Sequence, residues 1–287
     1  SHEHPDHFSP SFFTNEKNKN ILIEKNVKIL FQETKDKRVV NFLKKQNYEV
    51  IEVKNDEEIK LGDEVTAEIK KYDFYDSLFI FKTPELKILN LNDCPLREKN
   101  EIYSFKKKYG SFDILLTQFS YAAWKGGVKN KIYREMAAKE KLESIENQAR
   151  ILNCKSVLPF ASYIYFSNEL NSYMNDSINS PEIIKKFFLD KNINIVILSP
   201  GEMQNLKNLV QKKESLDFWN HQYKEISLKP KDKFNISVNF SDLNKQFDVY
   251  KNRIFKKNSK LIILFLSKIK IMNFFQPLKI KLIDHKK

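Results

Sequence analysis

Two stretches, Phe112-Asp113-Ile114-Leu115-Leu116 and Ile193 to Leu198, constrain this chain most, because almost every residue in them is apolar. A strand with one wet face alternates polar and apolar residues, whereas an unbroken apolar run suits a strand covered on both faces, as in parallel sheets joined by crossover helices. Helical patterns fall where such a sheet needs them. Asn130 to Leu152, rich in Ala, Glu and Lys, predicts the longest helix and leads into a strand over Ser156 to Leu158. Ser180-Pro181-Glu182 supplies an N-cap and a first-turn Pro for a helix running to Leu189. A charged helix over Arg97 to Lys108 ends at Tyr109-Gly110, where Gly accepts the left-handed conformation.

Upstream of these runs the pattern is also mixed. Ser11 to Asn18 reads as a short helix. Val27 to Phe31, Lys35 to Gln46 and Tyr48 to Val53 read as strand, helix and strand, which gives parallel strands with a crossover. Strands over Glu64 to Tyr72, Ser77 to Phe81 and Lys87 to Leu91, the last two joined by Thr83-Pro84-Glu85, predict an antiparallel meander.

The opening heptapeptide, Ser1-His2-Glu3-His4-Pro5-Asp6-His7, holds three of the five His in the chain; the others are His221 and His285. Neutral imidazole and carboxylate are ligands for zinc, iron and manganese. A tag remnant is also rich in His, but an Asp between the imidazoles, followed by Phe8 and a helix start at Ser9-Pro10, is unlike one. The run resembles the metal-binding signature of the metallo-β-lactamase superfamily. Lys87 to Cys94 is similar to that family's strand ending in a metal-bridging aspartate, here Asp93. The segments Phe112 to Ser120 with Gly126-Gly127, Leu158 to Tyr163, Asn175-Asp176 and Ser199-Pro200-Gly201 resemble, in order and spacing, the metallo-β-lactamase-like part of the CMP-N-acetylneuraminate hydroxylases, to which the bacterial UDP-N-acetylmuramate hydroxylases are related.

The resemblance, which covers about residues 1 to 205, implies an αββα metallo-β-lactamase-like sandwich, an α/β (α+β) fold whose first strands would precede Ser1. It implies a metal-dependent enzyme with one or two divalent ions, iron or zinc. His2 and His4 would hold one ion, Asp6 and His7 another, and Asp93 would bridge them, with Asp6 and Asp93 as catalytic proton acceptors. Two further His of that family are missing. Their places fall near Asp73, which could supply oxygen as a metal ligand, and at Phe160, which cannot ligate. A site short of ligands keeps positions open, which suits either oxygen-dependent hydroxylation of a sugar-nucleotide N-acyl group or hydrolysis by a lactonase or phosphodiesterase. A degenerate, non-catalytic metal-binding protein is the third reading. Gln118, Ser120, Trp124 and Tyr163 follow buried strands, where α/β folds place ligand loops, and are the expected substrate contacts.

Composition bounds partners. The net charge of +13 comes almost wholly from Lys, and Arg38, Arg97, Arg134, Arg150 and Arg253 do not cluster, so the field argues for an anionic small-molecule substrate, possibly a sugar nucleotide, over nucleic acid. Cys94 and Cys154 form no Cys-x-x-Cys or Cys-x-His pair; no iron–sulfur cluster, flavin or nucleotide cofactor motif appears, and electrons for hydroxylation would come from an upstream Rieske domain or a partner protein. Two isolated thiols and no apolar run of about 18 residues suit a cytoplasmic protein without a transmembrane segment. The boundary is expected between a domain over 1–212 and an α+β extension over 213–287. There Ser215 to Glu225 is helical, with His221 packed beside Trp219 and Tyr223. Phe234 to Phe240 alternates like a strand, Leu261 to Leu266 is apolar, and Lys268 to Ile283 alternates Lys with Ile or Leu.

Overall fold

The computed structural model describes residues 7–72, 76–233 and 238–268. The chain falls into two compact units, Ser1–Lys233 and Phe234–Lys287. The first unit is mixed α/β, a central sheet flanked by helices. It opens with helices α1 (Pro10–Thr14) and α2 (Glu16–Glu24), where the Asn15 side chain caps α2 by accepting the backbone N–H of Asn18 at 3.1 Å. Strands β1 (Lys28–Gln32) and β2 (Glu49–Val53) then pair in parallel, joined by helix α3 (Arg38–Lys45). Val39 and Leu43 of α3 are buried with Tyr48 and packed by Phe8, Phe13 and Ile29, so this layer has a small core of its own.

A seven-stranded sheet follows, in the spatial order of the chain: β3 (Glu58–Lys60), β4 (Thr66–Tyr72), β5 (Asp76–Lys82), β6 (Lys87–Asn92), β7 (Ile114–Thr117), β8 (Ser156–Pro159) and β9 (Asn194–Ile195). Strands β4 to β6 form the expected antiparallel meander, β3 adds an unpredicted edge strand to it, and β6 to β9 run parallel. The crossovers carry helices α4 (Lys99–Tyr109), α5 (Lys131–Leu152) and α6 (Pro181–Phe187). Gly110 ends α4 at φ 78°, and the Ser180 hydroxyl caps α6 by accepting the N–H of Ile183.

Register explains the apolar runs. Ile80, Leu89, Leu115, Val157 and Ile195 sit side by side across five strands and face α4, α5 and α6 in the main core. On the opposite face Ile88, Ile114 and Leu158 join Val196 and Leu209 in a second cluster. Each fully buried Leu contributes on the order of 2 kcal/mol, so removing this row dismantles the sheet's helical side. Among the described residues the sheet's buried charges lie near its β3 edge, where Lys70 pairs with Glu68 and Asp56.

Several expectations need correction. The strand predicted over Ile193 to Leu198 is only two residues long, and the rest is extended loop pinned by the Gln211 side chain, which accepts the Ile197 N–H at 2.8 Å and donates to its carbonyl at 3.1 Å. Helix α7 (Lys213–Leu228) packs the partly buried Trp219 against the main core, but His221 on it is exposed rather than packed. In the second unit, residues 234–237 and 269–287 lie outside the described residues. Asn239 caps helix α8 (Phe240–Lys257), so Phe240, the last residue of the expected strand, opens a helix instead. Phe240, Leu243, Phe247, Tyr250 and Ile254 recur at steps of three and four, a helical period. Helix α9 (Lys260–Lys268) holds the apolar run. Among the described residues no helix is long and apolar enough to cross a membrane.

Candidate metal centre

The site begins with a defect in β6. Its pairing with β7 shifts register between Asn90 and Asn92, and Asn92 adopts the left-handed conformation at φ 53°. Asn tolerates that region better than most residues, and the Asn90 side chain steadies the turn by accepting the Asn92 N–H at 2.9 Å. The bulge ends the ladder and leaves Asp93 beyond the strand's carboxyl end. His7, which leads into α1, meets it there, with Nε2 3.0 Å from Asp93 Oδ2 across 86 positions of sequence. The Asn92 side-chain amide lies 3.2 Å from the other ring nitrogen, Nδ1. Both partners are largely enclosed, with side-chain exposures of 11% for His7 and 21% for Asp93.

Beneath this pair the strand ends form a polar floor. Thr117 donates to Gln148 Oε1 at 3.2 Å, and Gln148 Nε2 donates to the Leu96 carbonyl at 2.6 Å. Lys141 of α5 donates to Gln118 Oε1 at 2.6 Å. Burial first, then the charges of Asp76 and Asp93, push the Cys94 thiol up to about 12, so it packs as a small apolar group. Cys154 is likewise buried and free, its thiol raised to about 12.

Of the other expected site residues, His2, His4, Asp6 and Asp73 lie outside the described residues. Ser120 is 1% exposed; its hydroxyl accepts the Asn179 N–H at 3.0 Å. Trp124 is 68% exposed. Tyr163 stacks on Trp219 at 3.7 Å between ring centroids and donates to the Pro159 carbonyl. Burial, aided by Tyr223, raises its phenol. Phe160 follows β8 directly, its N–H donated to the Thr117 carbonyl.

No protein-family model and no curated protein sequence matches the chain. Among solved structures it is similar to CmlA, a diiron β-hydroxylase from Streptomyces venezuelae, at 14% identity over 68% of this chain and 42% of that chain, with a TM-score of 0.42. It is also similar to the metallo-β-lactamase fold protein YhfI from Bacillus subtilis, at 11% identity over 70% of this chain and 74% of that one, with a TM-score of 0.44. The chain thus spans about two fifths of the length of CmlA.

The donor chemistry of the His7–Asp93 pair fits a divalent ion. An imidazole nitrogen and a carboxylate oxygen are both donors such an ion accepts, and at 3.0 Å they hydrogen-bond to each other. Asn92 fits both states of the ring. Its amide nitrogen donates to Nδ1 when Nε2 carries the proton. Were Nε2 to hold a metal, Nδ1 would carry the proton and the amide, turned over, would accept it through its oxygen.

Sequence reading misses three nearby groups. Asn92 reads as no more than a strand end, although Asn at the end of a strand is itself a signal of left-handed backbone. Lys141 and Arg134 sit in a helix dense with charge and give no signal. Arg134 is 1% exposed; it grips both Asp176 oxygens, at 2.8 and 2.6 Å, and the Gly127 carbonyl at 2.7 Å. That clamp fixes the loop carrying Trp124. Gly126 there has φ 79°, and a Cβ would stand 2.7 Å from that of Asn130.

Proposed function

We propose that this chain is a metal-dependent enzyme domain of metallo-β-lactamase type, with His7 and Asp93 among the ligands of its centre. The observation that carries the reading is the 3.0 Å approach of His7 Nε2 to Asp93 Oδ2 at the end of a bulged strand. The two groups come from positions 86 residues apart, and their types are those the superfamily resemblance assigns to metal. His2, His4, Asp6 and Asp73 are proposed to complete the ligand set.

A divalent ion held there supplies Lewis acidity or oxygen activation. The chain's own groups do the rest. Asn92 orients the His7 ring, Asp93 holds a carboxylate beside it, and Asp6, next to His7 in sequence, is proposed to share proton transfer with Asp93. Gln118 is proposed as a substrate contact from the polar floor. Within this class we favour oxygen-dependent hydroxylation of a sugar-nucleotide N-acyl group, with electrons from a Rieske domain or partner; the support is the order and spacing of the segments matched to the hydroxylases.

Metal analysis of the purified full chain, combined with turnover assays, tests the reading. Iron retained by wild type but lost in His7→Ala and Asp93→Asn, with oxygen consumed in the presence of a reductase and a sugar nucleotide, is the expected result. Zinc retention with lactone or phosphodiester hydrolysis would replace the hydroxylase with a hydrolase on the same centre. Failure to bind either metal stoichiometrically, unchanged by both substitutions, would sink the enzyme reading.

A further inference from the structure

The polar floor contains a cation that the proposed centre does not use. Lys141 lies on α5 facing a pocket formed with Asn92, Arg97, Gln118 and Ser144 at the carboxyl ends of β6 and β7. Its hydrogen bond goes to the neutral amide oxygen of Gln118, and among the described residues no carboxylate comes within ion-pair distance of it. Elsewhere in the first unit Lys70 and Lys191 reach a carboxylate at 2.9 and 2.7 Å, whereas Lys87 and Lys185 end on the backbone carbonyls of Tyr109 and Ile195; Lys141 alone of these lines a pocket with a second cation, Arg97. Burial, reinforced by the positive charges of Arg97 and Lys125, lowers the Lys141 ammonium to about 8, with Glu140 and Asp93 opposing more weakly. A cation enclosed among other cations carries a desolvation cost that an anion would relieve.

We infer that this pocket is an oxyanion subsite, in which Lys141 and Arg97, with the side-chain amides of Asn92 and Gln118, take one carboxylate or phosphate group of a ligand. Gln118 gives its oxygen to Lys141, so its nitrogen is the donor it has left for the anion. Open α/β sheets bind ligands beyond the carboxyl ends of their strands, and this pocket adjoins Asp93 there. The pocket proper holds about 10 Å³, room for a single water. Arg97 forms the wall between it and a groove of about 360 Å³ that includes Asn100, Glu140 and Asn147. The Arg97 side chain is 39% exposed and pairs with Glu140 at a long 3.6 Å, so admitting the anion exchanges that partly solvated ion pair for a contact with the ligand. Acidic residues in the groove repel further negative charge, which restricts the ligand to one oxyanion end. That the ligand's other end reacts at His7 and Asp93 rests on the proposed metal centre; the anion site itself does not.

Thermal unfolding of the full chain, stripped of metal by a chelator and then dialysed, tests the subsite with inorganic phosphate and with acetate, chloride being exchanged to hold ionic strength constant. Wild type should gain about 3–5 °C in Tm for each tenfold rise in the preferred anion above its Kd. A response to phosphate alone assigns a phosphorylated ligand, and a response to acetate assigns a carboxylate. Lys141→Gln keeps a donor for Gln118 and should abolish the gain; Arg97→Gln, at a more exposed position, should weaken it and serves if the first variant does not fold. Lys155→Gln, on a lysine 81% exposed, should leave it intact. No gain in wild type with either anion, or an equal gain in Lys141→Gln, overturns the inference. The metal content of His7→Ala decides the metal centre separately, since the anion response is read without metal.

Discussion

Asn92 is the residue on which the candidate centre turns. It does two jobs: its backbone takes the left-handed conformation that ends β6, and its side chain contacts His7 Nδ1 at 3.2 Å. Asn92→Gly separates them, because Gly keeps the left-handed freedom and removes the amide. Loss of an orienting hydrogen bond of this kind costs about 10–100-fold in metal affinity. Competition with a chelator should therefore show weaker metal binding in Asn92→Gly with little change in Tm; unchanged affinity would remove Asn92 from the centre. At this scale the sequence is readable where chemistry is concentrated, as in the His-rich opening and at Asp93. It is opaque where a charged residue turns inward. Lys141 and Arg134 share a helix with solvated lysines and glutamates, and nothing in the local pattern marks them; their burial is set by loops that arrive from distant sequence.

At the scale of elements, the helices and strands that carry a local cause are legible. The Ser180 cap, the Gly110 terminator and the apolar run of β7 each declare themselves within a few residues. Strand β3 does not, because Glu58-Ile59-Lys60 lies at an edge where only the partner β4 decides its conformation. The start of α7, within two residues of the helix expected from Ser215, has a specific anchor. Glu202, on the loop after β9, accepts from the Ser215 hydroxyl, the Ser199 N–H at 3.1 Å and Gln204 Nε2 at 2.5 Å. Burial alone would raise its carboxyl, but these hydrogen bonds and Lys212 outweigh that and hold it down to about 2. A carboxyl lowered on folding adds stability that is complete above its ordinary value of 4.5 and is lost as pH falls from there through about 2. Glu202→Gln should lower stability by about 1–3 kcal/mol near neutrality. Urea midpoints followed by Trp fluorescence should show that the gap to wild type narrows at about pH 3, in the middle of that window. A gap that stays constant across the window would mean that Glu202 acts by shape, not charge.

On the scale of the whole molecule, the two compact units differ in what holds them. The first has a sheet buried on both faces, with Leu89, Leu115 and Val157 fully enclosed. In the second, α8 has no buried residue, and Phe240, Phe247, Val249 and Tyr250 are each about half exposed or more. Isolated helices gain most of their stability from packing an apolar face, so α8 and α9 have little to make them melt together with a cooperative core. Both Trp residues, Trp124 and Trp219, belong to the first unit. Trp fluorescence therefore follows the sheet unit, whereas far-UV circular dichroism follows all the helices. On heating, the dichroism should begin to fall below the fluorescence transition, with a broad early loss followed by a sharp step that coincides with the fluorescence change. Superimposable curves from the two probes would show instead that the helices of the second unit are stabilised by the same cooperative transition as the first.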